Sequence, residues 1–266
     1  MNLIKSHLIL LLVVVGLISC GGNDDDVSLG ERTADDVISD FQNLNIQPGI
    51  NDLVLESTVS GVFWNFRIIA PVDASEINKR PLVLSLHGGA ANIAPNAHKS
   101  TACMVEPAFE ALNAYILSPN SNGFLWYGQN NQVQVLALLD LTKTYLPIDE
   151  TKVVITGYSD GGNGSWFYAQ YYPDLFSAAI PMATSYNPEV SGGVIPKINI
   201  PLCVIHGEND ELFPLAQTEE WVTQSKNAGS SIEFVIAPGL NHYVICEYVE
   251  YLTTATNWLQ NEVWSQ

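Results

Sequence analysis

Short apolar runs alternate along this chain with longer segments in which apolar residues recur at helical spacing. The short runs are rich in β-branched residues and end at Gly or Pro, as Val153-Val154-Ile155-Thr156 does at Gly157, and this pattern predicts strands. The longer segments, such as 129–145, which Pro147 follows, predict helices. The predicted strands are 53–58, 62–70, 81–86, 114–117, 153–156, 178–180, 201–206 and 232–236. The predicted helices lie at 33–44, within 97–112, at 129–145, from the turn after Gly157 to Tyr172, near 215–228 and at 244–262.

The order of these elements indicates the class of fold. Strands and helices alternate, and most of the strands are almost entirely apolar, so both faces of the sheet must be covered. We therefore expect an α/β fold with a mostly parallel central sheet and helices on both of its faces. Only about 20 residues separate the strands 178–180 and 201–206, so we expect no large lid.

The first residues have the pattern of an export signal and not of this fold. Lys5 precedes an unbroken apolar run, Leu8 to Ile18, which is too short to cross a bilayer as a helix but fits the apolar region of a secretory signal. The run ends in Leu17-Ile18-Ser19-Cys20-Gly21, which resembles the lipobox of bacterial lipoproteins. This resemblance implies removal of residues 1–19 and acylation of Cys20. The alternative is an ordinary signal peptide that ends at a cysteine by chance.

The residues after Cys20 fit a tethered, exported domain. The acidic run from Gly21 to Asp26 has no apolar residue to bury, whereas 33–44 carries apolar residues at helical spacing. Residues 20–50 are thus predicted to be an acidic tether and a short adapter, and 51–266 the folded domain. The lipoprotein resemblance implies that the lipid alone anchors the protein, to the bacterial outer membrane or the cell surface.

The formal net charge of −18, with only 10 Lys and Arg residues, excludes several classes of partner. A chain of this charge is repelled by nucleic acid and by anionic lipid head groups. The spacing of its cysteines is not that of metal ligands, so we expect no bound metal. We expect no cofactor either.

Three cysteines remain once Cys20 is set aside, and an exported domain can pair two of them. Cys203 lies inside the predicted strand 201–206, where a free cysteine packs as a small apolar residue. Cys103 and Cys246 are therefore the only pair that we consider for a disulfide.

The strongest chemical signal is Gly157-Tyr158-Ser159-Asp160-Gly161, a G-x-S-x-G pentapeptide between a predicted strand and a predicted helix. A tight turn of this kind exposes the serine hydroxyl above the sheet and needs small neighbours. The start of the helix adds free N–H groups and a partial positive charge. We predict that Ser159 is a nucleophile.

A serine nucleophile needs a base, and the base needs an acid that orients it. In folds with this turn the acid and then the histidine follow the serine along the chain. Asp210 lies in the loop after the strand 201–206, and His242 lies in the loop after the last predicted strand. We predict that Asp210 orients His242 and that the neighbouring Glu208 and Glu211 point to solvent.

The segment Leu86-His87-Gly88-Gly89-Ala90 follows the strand 81–86 and resembles the His-Gly-Gly segment of lipases and esterases. In those enzymes backbone N–H groups of this segment, together with the N–H of the residue after the nucleophile, stabilise the oxyanion. The resemblance assigns this role to the N–H of Gly89, or of a neighbour, and to the N–H of Asp160.

Taken together, these motifs resemble an esterase group within the α/β-hydrolases. The group holds phospholipase/carboxylesterase-like enzymes, predicted peptidases, and relatives among the feruloyl and acetylxylan esterases and polyester depolymerases. The likeness is carried by Gly157 to Trp166, by Tyr171 to Pro181 and by His206 to Asp210, and it spans about 81–242. Asp160 departs from the Met or Gln that is more frequent in the group, and a carboxylate there disfavours acidic substrates. Ser159 in place of a cysteine argues against a dienelactone hydrolase proper.

The resemblance implies a serine carboxylic-ester hydrolase of the α/β-hydrolase fold. It would act through an acyl-enzyme on short-acyl, carbohydrate-linked or polymer esters. By family position, Trp126 and Tyr127 line the acyl pocket, although a place in the core or on the surface is the alternative. A serine peptidase shares all of these parts and stays open as an alternative. A non-catalytic, surface-binding lipoprotein is a further alternative, which loss of a triad residue would favour.

Overall fold

The computed structural model describes residues 32–265. The predicted signal segment and Cys20 lie outside the described residues. Within 32–265, no helix is both long enough and apolar enough to cross a membrane.

One sheet of eight strands forms the centre of the described part of the chain. The strands are β1 (Gly49–Glu56), β2 (Phe63–Ala70), β3 (Arg80–Leu86), β4 (Tyr115–Pro119), β5 (Ile148–Tyr158), β6 (Ala178–Met182), β7 (Leu202–Gly207) and β8 (Ile232–Ala237). Their order is β1-β2-β4-β3-β5-β6-β7-β8. The pairs β1/β2 and β2/β4 are antiparallel and the other neighbours are parallel, which confirms the mostly parallel sheet.

Helices cover both faces of this sheet. They are α1 (Ala34–Gln42), α2 (Val105–Phe109), α3 (Gln129–Tyr145), α4 (Asp160–Tyr171), α5 (Leu215–Asn227) and α6 (Val249–Trp258). Because successive strand residues point to opposite faces, Leu82 and Leu84 join one hydrophobic cluster and Val83 joins another. The first cluster includes residues of α1, α3, α4 and α5, and the second includes residues of α2 and α6.

The adapter helix α1 begins at a capping box. The Thr33 hydroxyl accepts a hydrogen bond from the Asp36 N–H at 3.3 Å, and the Asp36 carboxylate accepts one from the Thr33 N–H at 2.7 Å. Val37 and Phe41, one turn apart, are buried in the first cluster. The helix therefore packs on the sheet through one apolar face.

The helix predicted within 97–112 is present but short, and the helix predicted at 244–262 is interrupted. The segment 97–112 contains only the five-residue α2, between the 3-10 turns Ala97–Lys99 and Glu110–Leu112. Pro107 has no N–H group and fits only the first turn of a helix, which keeps α2 short. The segment 244–262 divides into a 3-10 turn, Ile245–Tyr248, then α6 and a π-turn, Leu259–Val263.

A disulfide joins Cys103 to Cys246, the pair that the sequence left open, across 143 residues. Cys246 lies four residues after His242, so the bond ties the histidine loop to the segment before α2. Cys203 is free and buried in β7, and burial raises the pKa of its thiol to about 12. A thiol of this kind is protonated at neutral pH and is a poor nucleophile.

The parallel strands end at one edge of the sheet, and the residues predicted to carry the chemistry follow four of these ends. Ser159 follows β5, His87 to Ala90 follow β3, Asp210 follows β7 and His242 follows β8. The fold thus brings four distant segments to the same edge, where open α/β sheets bind their ligands.

Candidate active site

The turn between β5 and α4 holds Ser159 at φ 58° and ψ −121°. A positive φ is unfavourable for any residue with a Cβ, so the packing around the turn must impose it. A side chain at Gly157 would overlap the carbonyl group of Gly161, and one at Gly161 would overlap that of Leu86. The two glycines let β3, β5 and α4 meet closely, and the Ser159 side chain projects away from them.

Ser159, His242 and Asp210 form one line of hydrogen bonds. His242 Nε2 lies 2.8 Å from Ser159 Oγ, and His242 Nδ1 lies 2.7 Å from Asp210 Oδ2. His242 and Asp210 are 6% and 5% exposed. The structure therefore brings together the three residues predicted for the triad, at distances that allow the imidazole to take the serine proton.

Asp210 is held through both of its carboxylate oxygens. Oδ1 accepts hydrogen bonds from the N–H groups of Leu212 at 3.0 Å and Phe213 at 2.7 Å, while Oδ2 accepts one from His242. The Phe213 ring also stands edge-on to the imidazole, with 4.7 Å between ring centroids. The acid loop therefore fixes both the carboxylate and one side of the histidine ring.

The two neighbouring glutamates take no part in this line. Glu211 is exposed, as predicted. Glu208 is exposed as well, but its Oε2 accepts a hydrogen bond from the Gly239 N–H at 2.8 Å. Glu208 is thus on the surface, as predicted, and its carboxylate in addition joins the acid loop to the histidine loop.

A buried histidine, His206, forms a hydrogen bond with the acid loop. It is fully buried, and its Nε2 donates to the Phe213 carbonyl at 2.8 Å and lies 3.6 Å from Asp210 Oδ2. Burial lowers the pKa of His206, which keeps the ring neutral, and its buried Nδ1 has no partner among the described residues. The residue therefore holds the backbone next to Asp210 without competing for the proton of Ser159.

Two N–H groups near Ser159 are free to donate. Asp160 is the first residue of α4, so its N–H has no partner within the helix. Neither this group nor the N–H of Gly89 makes a hydrogen bond within residues 32–265. The backbone of Gly88 lies against Ser159, since a Cβ on Gly88 would be 3.3 Å from the serine Cβ.

The side chain of Asp160 holds the loop that follows β3. Its Oδ2 accepts a hydrogen bond from the Ala90 N–H at 2.9 Å. That contact occupies the N–H group of Ala90, the residue after Gly89, and leaves the N–H of Gly89 without a partner within residues 32–265. The residue at which the sequence departs from its relatives therefore connects the nucleophile turn to this segment.

His87 forms two hydrogen bonds that order the same segment. Its Nδ1 donates to the Gly88 carbonyl at 2.7 Å, and its Nε2 accepts from the Ser121 N–H at 3.1 Å. Burial lowers the pKa of His87, which favours the neutral ring that this pair of contacts requires.

Trp126 does not line a pocket, and this prediction is corrected. The ring is fully buried, and its Nε1 donates to the His87 carbonyl at 2.9 Å. Trp126 packs directly against Gly164 of α4, and a side chain at Gly164 would overlap it. Tyr127, in contrast, is 41% exposed and lies in a surface cleft beside α4.

Tyr158 is a site residue that the sequence analysis missed. Its hydroxyl donates to the His242 carbonyl at 2.9 Å, and its ring centroid lies 5.5 Å from that of the imidazole. The only signal for it was its place beside the nucleophile.

The fold is shared with many solved structures, and esterases and peptidases are among them. A thermostable esterase aligns with a TM-score of 0.64 at 21% identity over 79% of this chain, which spans 62% of that esterase. The fluorophosphonate-binding serine hydrolase F of Staphylococcus aureus aligns with a TM-score of 0.66 at 16% identity, over 82% of this chain and all of that one. An acylaminoacyl peptidase aligns with a TM-score of 0.58 at 18% identity, over 80% of this chain and 41% of that one. Comparison with curated protein sequences gives no match.

A family match covers more than half of the chain. It spans residues 126–265, which contain Ser159, Asp210 and His242 but not the His-Gly-Gly segment. Ser159 in place of a cysteine argues against a dienelactone hydrolase proper, but it does not keep the chain outside the wider family. The chain is a hydrolase-fold protein that belongs to the dienelactone hydrolase family.

Proposed function

We propose that this protein is a serine hydrolase that cleaves carboxylic esters through an acyl-enzyme. The observation that carries the proposal is the hydrogen-bonded line from Ser159 Oγ through His242 to Asp210. A serine activated in this way attacks carbonyl carbon, which is the first step of acyl transfer.

In the proposed mechanism, Ser159 Oγ attacks the ester carbonyl while His242 Nε2 takes the hydroxyl proton. Asp210 keeps the imidazole in the tautomer that carries a proton on Nδ1 and stabilises the imidazolium that forms. The N–H groups of Gly89 and Asp160 donate to the oxyanion, and one such donor is worth roughly 10²–10³ in rate. The alcohol leaves with the proton from His242, and water then releases the acid by the same steps.

The proposed substrates are short-acyl, carbohydrate-linked or polymer esters. The connection between β6 and β7, residues 183–201, contains one isolated bridge, Val190–Val194, and no helix that could cover the site. An open site suits an ester that projects from a larger molecule. Structural neighbours that include an esterase and a peptidase are compatible with this proposal and with cleavage of amides.

A fluorophosphonate probe and a pair of matched substrates test the proposal. The probe should label wild-type protein and the variant Ser100→Ala, in which an exposed serine is removed, but not Ser159→Ala. p-Nitrophenyl acetate should be hydrolysed much faster than p-nitroacetanilide, which carries the same acyl group on an amide. Labelling of Ser159→Ala would contradict the nucleophile, and preference for the anilide would favour the peptidase.

We also propose that Cys20 is acylated and anchors the exported protein. The support is the lipobox resemblance of the sequence around Cys20. Cys20→Ser should move the protein from the membrane fraction to the soluble fraction of the producing bacterium. Retention of the variant in the membrane fraction would contradict the anchor and leave the proposed chemistry untouched.

A further inference from the structure

A cleft of about 470 Å³ runs along α4, the helix that begins directly after Ser159. Asn163, Phe167 and Tyr171 line it and are spaced four residues apart, so they lie on one face of the helix. Tyr127 and residues 185–187 form its other side. Eight helical residues extend roughly 12 Å, which is longer than a single sugar or phenyl ring. We call this surface the α4 cleft.

The α4 cleft begins next to the nucleophile turn. The Asn163 N–H donates to the Ser159 carbonyl at 2.9 Å, and Asn163 Oδ1 accepts from the Ser185 N–H at 2.8 Å. Asn163 therefore joins the first turn after the nucleophile to Ser185 on the other side of the cleft. A group attached to an ester at Ser159 can therefore continue into the cleft.

The lining of the α4 cleft is aromatic and carries unused hydrogen-bonding groups. The Phe167 ring lies 4.8 Å from that of Tyr171 and 6.1 Å from that of Tyr127. Tyr127 and Tyr171 are 41% and 51% exposed. Within the described residues their hydroxyls make no hydrogen bond, and neither do the side-chain N–H groups of Asn163 and Asn187. No charged residue lines the cleft, although the net charge of the chain is −18.

Aromatic rings, free hydrogen-bonding groups and the absence of charge in the cleft together favour one class of ligand. A charged ligand would find no partner of opposite charge in the cleft. A purely apolar acyl group would cover the free phenol and amide groups without pairing them, which costs binding energy. A sugar ring satisfies both features, because its C–H face packs on aromatic rings while its hydroxyls pair with the phenols and amides.

We infer that the α4 cleft is a subsite for the sugar rings of a neutral glycan whose ester is cleaved at Ser159. The inference rests on the proposed ester hydrolysis and names its substrate class. Because the cleft is longer than one ring, each added sugar unit that reaches it should increase kcat/KM, up to the length of the cleft.

Acetyl esters of neutral oligosaccharides built from glucose, xylose or mannose test the inference. Each series would be measured with one, two and four sugar units, beside p-nitrophenyl acetate. For wild type, kcat/KM should rise at least fivefold from one to four units in one series or more. Tyr171→Ala and Tyr127→Ala should each remove about fivefold of this gain, as expected for loss of one stacked ring. Tyr145→Ala, which removes an exposed tyrosine outside the cleft, should keep the full gain and the activity on p-nitrophenyl acetate.

The outcomes separate this inference from the proposed function. If wild type does not hydrolyse p-nitrophenyl acetate, the proposed function fails. If it does, but no series gains with length or the gain survives in both cleft variants, the glycan subsite is overturned.

Discussion

The Tyr158 hydroxyl donates a hydrogen bond to the backbone carbonyl of His242 at 2.9 Å, which joins the residue before the nucleophile to its base. The Tyr158 ring packs edge-on to Tyr248 at 5.2 Å, and the Tyr248 hydroxyl donates to the Asn241 carbonyl at 3.3 Å. Burial raises the pKa of Tyr158 well above its usual value, so the hydroxyl remains a donor at any working pH. Two tyrosines thus hold the histidine loop against the end of β5.

We predict that Tyr158→Phe lowers kcat about tenfold, since a buried hydrogen bond is worth about 1–1.5 kcal/mol and a displaced imidazole loses its alignment. KM for p-nitrophenyl acetate should change little, because Tyr158 does not face the substrate. Steady-state kinetics with a thermal melt checks this. Tyr248→Phe is the matched control and should lose less activity, because its contact is longer. An unchanged kcat in Tyr158→Phe would refute the role.

Asp210→Asn should keep the fold but lower kcat by roughly 10⁴, because an amide favours the wrong tautomer of His242. Glu208→Gln and Glu211→Gln should each stay within about tenfold of wild type, as neither contacts the imidazole. Circular dichroism of each variant checks the fold beside the kinetics. High activity in Asp210→Asn together with an inactive glutamate variant would move the assignment to that glutamate.

Asp160 offers a test that separates hydrogen bonding from charge. Asp160→Ala leaves the Ala90 N–H without its acceptor and should lower kcat by about tenfold, because the segment bearing Gly89 loses its tie to the nucleophile turn. Asp160→Asn retains an acceptor oxygen and should keep most of kcat. It should also improve kcat/KM for an anionic ester such as p-nitrophenyl succinate relative to p-nitrophenyl acetate. If both substitutions changed the kinetics on both esters equally, the hydrogen bond and the charge of Asp160 would not have separate roles.

The disulfide should contribute about 2–5 kcal/mol to the free energy of unfolding, since it closes a long loop in the unfolded chain. Cys103→Ser with Cys246→Ser should lower the urea midpoint, and a reductant should shift wild type to the same value. Cys203→Ala is the control, because this cysteine is free, and its response to reductant should equal that of wild type. If the reductant still lowered the urea midpoint of the double serine variant, the effect on wild type could not be assigned to this disulfide.

Stability should fall as the pH is lowered from about 6.5 to about 4. His98 is buried, its Nδ1 faces the Asn120 amide at 3.1 Å, and burial lowers its pKa from 6.5 to about 4. In that range the unfolded chain binds a proton that the folded protein does not, so protons favour unfolding. His87 and His206, whose pKa values burial also lowers, act in the same direction.

His98→Gln keeps an acceptor for Asn120 and removes the titration. Its urea midpoint should fall less than that of wild type between pH 6.5 and 4.5. Asp52, whose pKa is lowered chiefly by a hydrogen bond from Arg67, loses its contribution to stability at the acid end of this range and below it. An equal slope in both proteins would exclude His98 as a source of the acid sensitivity.

Most of the fold could be predicted because its strands are short apolar runs, and the order of the motifs along the chain indicated which residues would meet at one edge. Contacts between residues far apart in sequence could not be predicted. The sequence around Trp126 is the same whether its ring lines a pocket or lies in the core. Its packing against Gly164 and its hydrogen bond to the His87 carbonyl place it in the core. The α4 cleft is likewise formed by segments that nothing in their local sequence connects.

The absence of space at Gly157 and Gly161 constrains how this site can evolve. Any side chain at either position would force β3, β5 and α4 apart. A substitution there would therefore abolish the turn. The Ser159 side chain, in contrast, takes no part in this close approach of backbones, and its Oγ lies 2.8 Å from His242 Nε2. The backbone at this turn is thus fixed by the two glycines, whereas the identity of the nucleophile is set by a side chain that lies outside their contact.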